Sequence, residues 1–366
     1  MNEELHAAVG FRFSGSYSEA RSKFLAAAGR GVKSYAVPAG GPDQQALFTD
    51  TVWFGDPDAN RLAILISATH GVEGYCGAAA QLDWLVGGGP LRLRSGEAVL
   101  LVYAVNAYGF AWDRRVTFEG CDLNRNFVDF TAPLPQNPGY DELAPHLVPR
   151  ALDGDVLEAA EAAIRAFRAA HGELAFQTAR KSGQYRHASG MFFGGVEPTS
   201  ARQVLETIVA DYRVAARERV IIIDYHTGLG PYGYGELQCE QPSGLEGFER
   251  ARRIFGHSVT SPDLGTSSSV ALNGTQDEYW QRLLGGRHVY VCLEFGTYDP
   301  ESSRRALRDD HWLHAYGTLH IGGPLADAIR QRVRDHYYPQ ASDWKEMVLG
   351  RSRQVQRQMI EGLRSM

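Results

Sequence analysis

Four short apolar runs stand out along the chain, each closed by turn or polar residues: Leu62–Ala68, Ala98–Val105, Val220–Tyr225 and His288–Phe295. Such runs read as strands, and their continuous rather than alternating apolarity predicts a sheet covered on both faces. Helical segments fall between and after them, at Ser18–Ala28, Gly77 to about Val86, Asp153–Ala170, Ala201–Ala216, Gly247–Gly256 and Ser303–Tyr316. That alternation predicts an α/β fold, a mixed, mostly parallel twisted sheet flanked by helices on both faces. Residues 325–366 read as a C-terminal helical segment of one or two amphipathic helices packed on the outside.

Between residues 128 and 195 the texture changes. Pro133, Pro135, Pro138, Pro145 and Pro149 crowd together, a helix follows, and then comes the polar stretch Arg180–His187. No linker separates this segment from the flanking strands, so 1–366 reads as a single domain with an insertion at 128–195. A long insertion in a compact domain is either functional or merely tolerated, and the pattern leaves both open.

Composition narrows the classes of function. A chain of 366 residues with net charge −6 lacks the basic balance that a nucleic-acid surface needs. Only Lys23, Lys33, Lys181 and Lys345 among its 37 basic side chains are lysines; codon bias accounts for most of that imbalance, and a minority of the arginines are read as guanidinium forks for carboxylates. The opening MNEELHAAVGFRF carries acids and no apolar run, so no secretory leader is expected, and no stretch reaches the ~18 apolar residues of a membrane span. Cys76, Cys121, Cys239 and Cys292 are scattered without a CxxC, which argues against both a thiolate zinc knuckle and a disulfide framework. A cytoplasmic location is the expectation.

Each apolar run ends in a polar cluster: His70-Gly-Val-Glu73, Asn106-Ala-Tyr-Gly109, Asp224-Tyr-His226 and Glu294. Ligands of open α/β sheets bind beyond the carboxyl ends of strands, so these clusters are expected to converge. His70 and Glu73, three apart on a turn with a glycine beside each, can face one ion. His226 from a distant strand would then complete a His2Glu site with a position left for water. Taken alone, His226 reads rather as a hydrogen-bonded core histidine. Glu294 lies at the end of a buried strand, where it is either salt-bridged to an arginine or a general base. In the stretch from Arg114-Arg115 to Asp122-Leu-Asn124-Arg125-Asn126-Phe127, the Asn-Arg pair can hold a carboxylate with amide and fork together. Asp122 can accept the second ring N–H of a metal-bound histidine. The plainer alternative is that Asp122, Arg125 and Asn126 organise a turn.

Taken in order from His70 to Glu294, these elements resemble the zinc carboxypeptidase superfamily, with its aspartoacylase and succinylglutamate desuccinylase relatives, and most of all a bacterial carboxypeptidase-like branch. The resemblance implies one Zn2+ per chain on His70, Glu73 and His226, with Asp122 orienting His70. It implies that Glu294 activates the metal-bound water and then serves as acid, and that Arg115, or else Arg114, polarises the scissile carbonyl. Asn124 and Arg125 would grip a terminal carboxylate. Two departures stand out: Asn106-Ala107 replaces the family's Asn-Pro, and Thr266–Gly274 lacks its mobile tyrosine. Tyr185, Tyr232 and Tyr234 are the candidates to replace that tyrosine, and Gln276 falls where the side-chain pocket would be lined. The implied activity is hydrolysis of an amide or peptide bond beside a free carboxylate, on a small peptide. An N-acyl amino acid deacylase is the first alternative, and a metal- or peptide-binding module that has lost catalysis is the second. Neither nucleic acid nor membrane is an expected partner.

Overall fold

The computed structural model describes residues 9–366; the first eight, on which part of the expectation about a leader rests, lie outside the described residues. In chain order the elements are α1 (Tyr17–Ala28), β1 (Lys33–Gly40), β2 (Ala46–Gly55), β3 (Arg61–Ile66), α2 (Gly74–Val86), β4 (Glu97–Tyr103) and α3 (Ala107–Ala111). The 128–195 segment holds α4 (Pro138–Leu147), α5 (Gly154–His171) and α6 (Glu173–Lys181). After it come α7 (Ser200–Asp211), β5 (Arg219–Tyr232), β6 (Gly235–Gln238), α8 (Glu246–Phe255), β7 (Val259–Thr260), α9 (Gln276–Leu284) and β8 (His288–Gly296). Helices α10 (Pro300–Ala315), α11 (Pro324–Tyr337) and α12 (Ser342–Ser365) close the chain.

All eight strands form one sheet in the order β1-β2-β4-β3-β5-β8-β6-β7. The middle four, β4, β3, β5 and β8, are mutually parallel, and antiparallel pairs flank them. This is the expected mixed, mostly parallel sheet. Its continuous apolar runs divide by parity between two cores. Ala63, Leu65, Ile221, Ile223, Val289 and Val291 pack on one face with residues of α1, α2, α8 and α12. Leu62, Ile64, Ile66, Val220, Ile222 and Tyr290 pack on the other with α7 and α9. The C-terminal helices supply core rather than packing on the outside: Trp344, Val348, Val355 and Met359 of α12 are fully buried against the sheet.

The chain leaves β3 for β4 on one side and later returns to β5 on the other, which opens a crevice at the carboxyl ends of β3 and β5. Both β3 and β4 end on a buried alanine in the left-handed region, Ala68 at φ 61° and Ala104 at φ 55°. Such backbone is costly for a residue with a Cβ and is held by bonds from Asn106 N–H to Ala68 O and from Ala104 N–H to Ser67 Oγ. The turn it produces swings Thr69-His70 and Val105-Asn106 out over the crevice.

Candidate functional site

His70 and Glu73 stand on the tight turn between β3 and α2, and the neighbouring 106–116 segment fixes that turn. Val72 N–H donates to Arg114 O at 2.9 Å, and Gly71 N–H donates to Arg115 O at 3.1 Å. Asn106 caps α3 by accepting from Gly109 N–H and donates to Arg115 O at 3.3 Å. Gly71 has an ordinary φ; its role is close approach, because a Cβ there would sit 2.1 Å from the Gly109 backbone. The glycine beside His70 therefore lets two chain segments touch and bends nothing.

His226 lies on β5 in register with Glu294 on β8, so the two side chains share a face of the sheet. The donor atoms of the three suspected ligands converge. His70 Nδ1 is 3.1 Å from Glu73 Oε1 and 3.0 Å from His226 Nδ1, which is 3.1 Å from Glu73 Oε2. Four ligands held ~2.0–2.1 Å from a tetrahedral ion stand roughly 3.3 Å apart, so this spacing fits a metal with little adjustment. Each imidazole presents Nδ1 inward and has a buried aspartate behind its Nε2, with Asp122 Oδ1 at 3.2 Å from His70 and Asp224 Oδ2 at 2.9 Å from His226. The Asp122 carboxylate on His70 Nε2 favours the tautomer that leaves Nδ1 bare for a cation, whereas Asp224 lies close to His226 Nε2 without a hydrogen bond to it. Asp224 is itself held by Thr69, Gln276 and Tyr290.

Arg115 spans the same carboxylates, with Nε on Asp122 Oδ2 at 2.9 Å and Nη1 on Glu73 Oε1 at 3.1 Å. Its Nη2 also lies 2.8 Å from His70 Nε2. That contact and Asp122 ask opposite tautomers of His70, and the charged carboxylate is the stronger claim on the ring proton. Burial pushes the Glu73 carboxyl up, but the charges and hydrogen bonds of His70 and His226 outweigh it and hold the group low. Glu294 goes the other way. Burial first and the Glu73 charge second push its carboxyl up, although Leu229 N–H donates to it at 3.0 Å. A carboxylate held ionised and a carboxyl that holds its proton thus border one cavity. Together they offer an ion site, a base and a cationic donor.

The family described as "Protein of unknown function (DUF2817)" matches residues 13–351. The chain belongs to that family. No curated protein matches it. Among solved structures it is similar to bovine thrombin-activatable fibrinolysis inhibitor in complex with tick carboxypeptidase inhibitor, at 14% identity and a TM-score of 0.43 over 90% of this chain and 99% of that one. Carboxypeptidase A from Helicoverpa armigera gives 14%, with a TM-score of 0.43 over 88% and 74%. Murein-tripeptide amidase MpaA from Escherichia coli O157 gives 15%, with a TM-score of 0.36 over 84% and 95%. Identities this low, at TM-scores under 0.5, leave the chemistry to be argued from the side chains.

In this DUF2817 chain not every suspected residue reaches the cavity. Arg114 turns away and forms a buried ion pair with Asp310 on α10, its Nε 2.9 Å from Oδ1. Gln276 does not line the cavity either. It is fully buried at the start of α9 and donates to Thr69 and Asp224, so it braces the aspartate behind His226. Asn124 does line the cavity, and its Oδ1 accepts from Gln276 N–H at 2.8 Å. Arg125 also borders it, spending three N–H groups on Lys181 O, twice, and Asn124 O. One N–H remains on each terminal nitrogen. Asn126 is tied to Gly194, Glu197 and Thr199. Of the candidate tyrosines, Tyr185 donates to Arg125 O, and neither Tyr232 nor Tyr234 borders the cavity.

Among the cavity residues that sequence reasoning did not single out are Arg180 and Lys181 at the end of α6, Tyr337 at the end of α11, and Glu240. Tyr337 shares a 2.9 Å hydrogen bond with Ser303. Burial, followed by the Asp277 charge, pushes the Glu240 carboxyl up to about 7. The polar stretch beginning at Arg180 was visible in the sequence, but nothing local shows which way it faces. No helix among the described residues is long and apolar enough to cross a membrane.

Proposed function

We propose that the protein is a zinc-dependent hydrolase that cleaves an amide bond beside a free carboxylate. One observation carries this reading: two aspartate-backed imidazoles and Glu73 converge on one point, in a cavity whose wall includes Glu294. Zinc held by His70, Glu73 and His226 would supply the Lewis acidity that makes water acidic and a carbonyl electrophilic. Burial and the Glu73 charge push the Glu294 carboxyl up to about 8; ionised by the charge of a bound cation beside it, Glu294 would take a proton from the attacking water and return it to the leaving nitrogen. Arg115, already aligned by Asp122, donates to the carbonyl oxygen as charge grows there. Asn124 and the two remaining N–H groups of Arg125 hold the substrate's terminal carboxylate.

Cavity size bears on the substrate. The space is about 60 Å3, where one water needs ~10–15 Å3, so it admits a small group. Arg180, Lys181 and Phe192 of the 128–195 segment border it, which supports reading that segment as an insertion over the site. Small size favours a dipeptide or an N-acyl amino acid, and it keeps the deacylase reading alongside the peptidase one.

The test is a metal analysis followed by a panel of dipeptides and N-acyl amino acids, with Glu294→Gln as the control. We expect one zinc per chain, turnover on one of the two substrate sets, and a loss of ~10^2–10^4-fold in kcat in Glu294→Gln with zinc retained. Protein that binds no zinc, or a Glu294→Gln variant with full turnover, overturns the mechanism. Zinc binding without turnover on either set indicates the binding-module reading.

A further inference from the structure

Arg180 is 1% exposed and borders the catalytic cavity. A buried guanidinium ordinarily has a carboxylate or several carbonyls on it, and the chain follows that rule at Arg114, Arg304 and Arg308, which each lie on a carboxylate, and at Arg125 and Arg217, which each donate to backbone carbonyls. Arg180 does not. Its Nη2 donates to the neutral amide of Gln177 at 3.0 Å, while Nε and Nη1 have no partner. Glu301, a carboxylate whose charge acts on it, is already bridged to Arg304 and Arg168.

Lys181 borders the same cavity, and no carboxylate among the described residues is paired with it. Burial first, then the charges of Arg180 and Arg115, pushes its ammonium down to about 7. Ser303 and Tyr337 bring two hydroxyls to the same cavity. Two consecutive cations with no protein anion between them are what a buried site keeps when the anion arrives with a ligand.

This place is distinct from Arg125. The Arg125 guanidinium rests on the Lys181 carbonyl and feels Glu240 and Tyr185, whereas Arg180 lies in the field of Tyr337 and Glu301. We propose that Arg180 and Lys181 form a second anion subsite, which receives a carboxylate of the substrate in addition to the one held by Asn124 and Arg125. The preferred substrates then carry two carboxylates, as an acidic residue or an acidic acyl group beside the scissile amide. The substrate preference rests on the hydrolase reading above; the anion binding does not.

Two measurements separate these claims. With zinc-loaded enzyme, kcat/KM is compared within isosteric pairs, Ala-Glu against Ala-Gln and N-glutaryl-alanine against its glutaramide analogue. The acidic member of at least one pair should be favoured by about tenfold or more, the worth of a charge-assisted hydrogen bond. That ratio should collapse toward one in Arg180→Gln and be partly kept in Arg180→Lys. A merely structural role for Arg180 would lower both members of a pair together and leave the ratio standing, which overturns the proposal. So does a wild-type ratio near one for both pairs. Lys181→Gln, at a part-exposed position, provides the same test should Arg180→Gln fail to fold.

The second measurement is calorimetric binding of glutarate dianion to the wild type and to both variants, with no turnover needed. Binding that weakens about tenfold or more in Arg180→Gln or Lys181→Gln supports the subsite even if no amide is cleaved, and in that case it is the hydrolase reading that fails. Equal binding to all three proteins, or none to the wild type, overturns the subsite.

Discussion

Replacing Arg114 with methionine should cost the protein ~4 kcal/mol at pH 7, and the cost should shrink as the pH falls. Arg114 and Asp310 are both almost fully buried, and three contacts of 2.9–3.1 Å join them. Burial alone would push the Asp310 carboxyl up, but the Arg114 charge and hydrogen bonds hold it low. Removing the guanidinium strands that carboxylate, at a cost of ~3–5 kcal/mol. The carboxylate can escape only by taking up a proton. From its ordinary value of 3.8, that costs ~4 kcal/mol at pH 7 and ~2 kcal/mol at pH 5. Protonation therefore caps the penalty, and the cap falls with pH. Urea unfolding of the wild type, Arg114→Met, Asp310→Leu and the double variant at both pH values checks this. The double variant should recover most of the loss, because neither charge is left alone. A single-variant cost below ~1 kcal/mol, a cost equal at pH 5 and pH 7, or additive single costs would refute the reasoning.

Two further outcomes follow from the same electrostatics. In the metal-free protein, burial opposes a charge on His226, but Cys292 and Asp224 hold its pKa well up, so zinc must displace a proton; calorimetry in buffers of different ionisation enthalpy should show about one proton released per zinc at pH 7, and zero release refutes it. His311 is buried, and burial pushes its pKa down to about 4 in the folded state against 6.5 when unfolded; the stability it contributes is whole above pH 6.5 and is lost as the pH falls toward 4, with a slope of up to ~1.4 kcal/mol per pH unit. His311→Gln should flatten the urea stability profile in that window, and unchanged slopes would count against the assignment.

The sequence disclosed elements whose physics is local. Four continuous apolar runs could only be strands buried on both faces, and the structure has them as β3, β4, β5 and β8. The turn bearing His70 and Glu73 was legible for the same reason, because a strand end followed by a helix start fixes where side chains three apart must face. The hairpin β1–β2 was missed. β1 lies at the edge of the sheet, alternates in exposure and carries Pro38, so it lacks the continuous apolarity that marked the others. Register also hid β7, which has two residues and exists only because β6 pairs with it.

Side-chain destinations were the harder part, and the arginines show why. Arg114 and Arg115 are adjacent, and local pattern cannot rank them. What separates them is an aspartate 196 positions away, which claims Arg114 and leaves Arg115 to Asp122 and Glu73. The family resemblance puts Gln276 in the side-chain pocket, but α9 starts there and turns the side chain inward to Asp224. Arg180 is the extreme case. Its signal is that two of its three nitrogens have no acceptor in a buried place, a property that its residue type does not carry. A partner can be guessed from a motif, but a missing one becomes visible only when every nearby acceptor has been located. The residues that decide which substrate enters a shared scaffold are therefore the ones that sequence reading is least equipped to find.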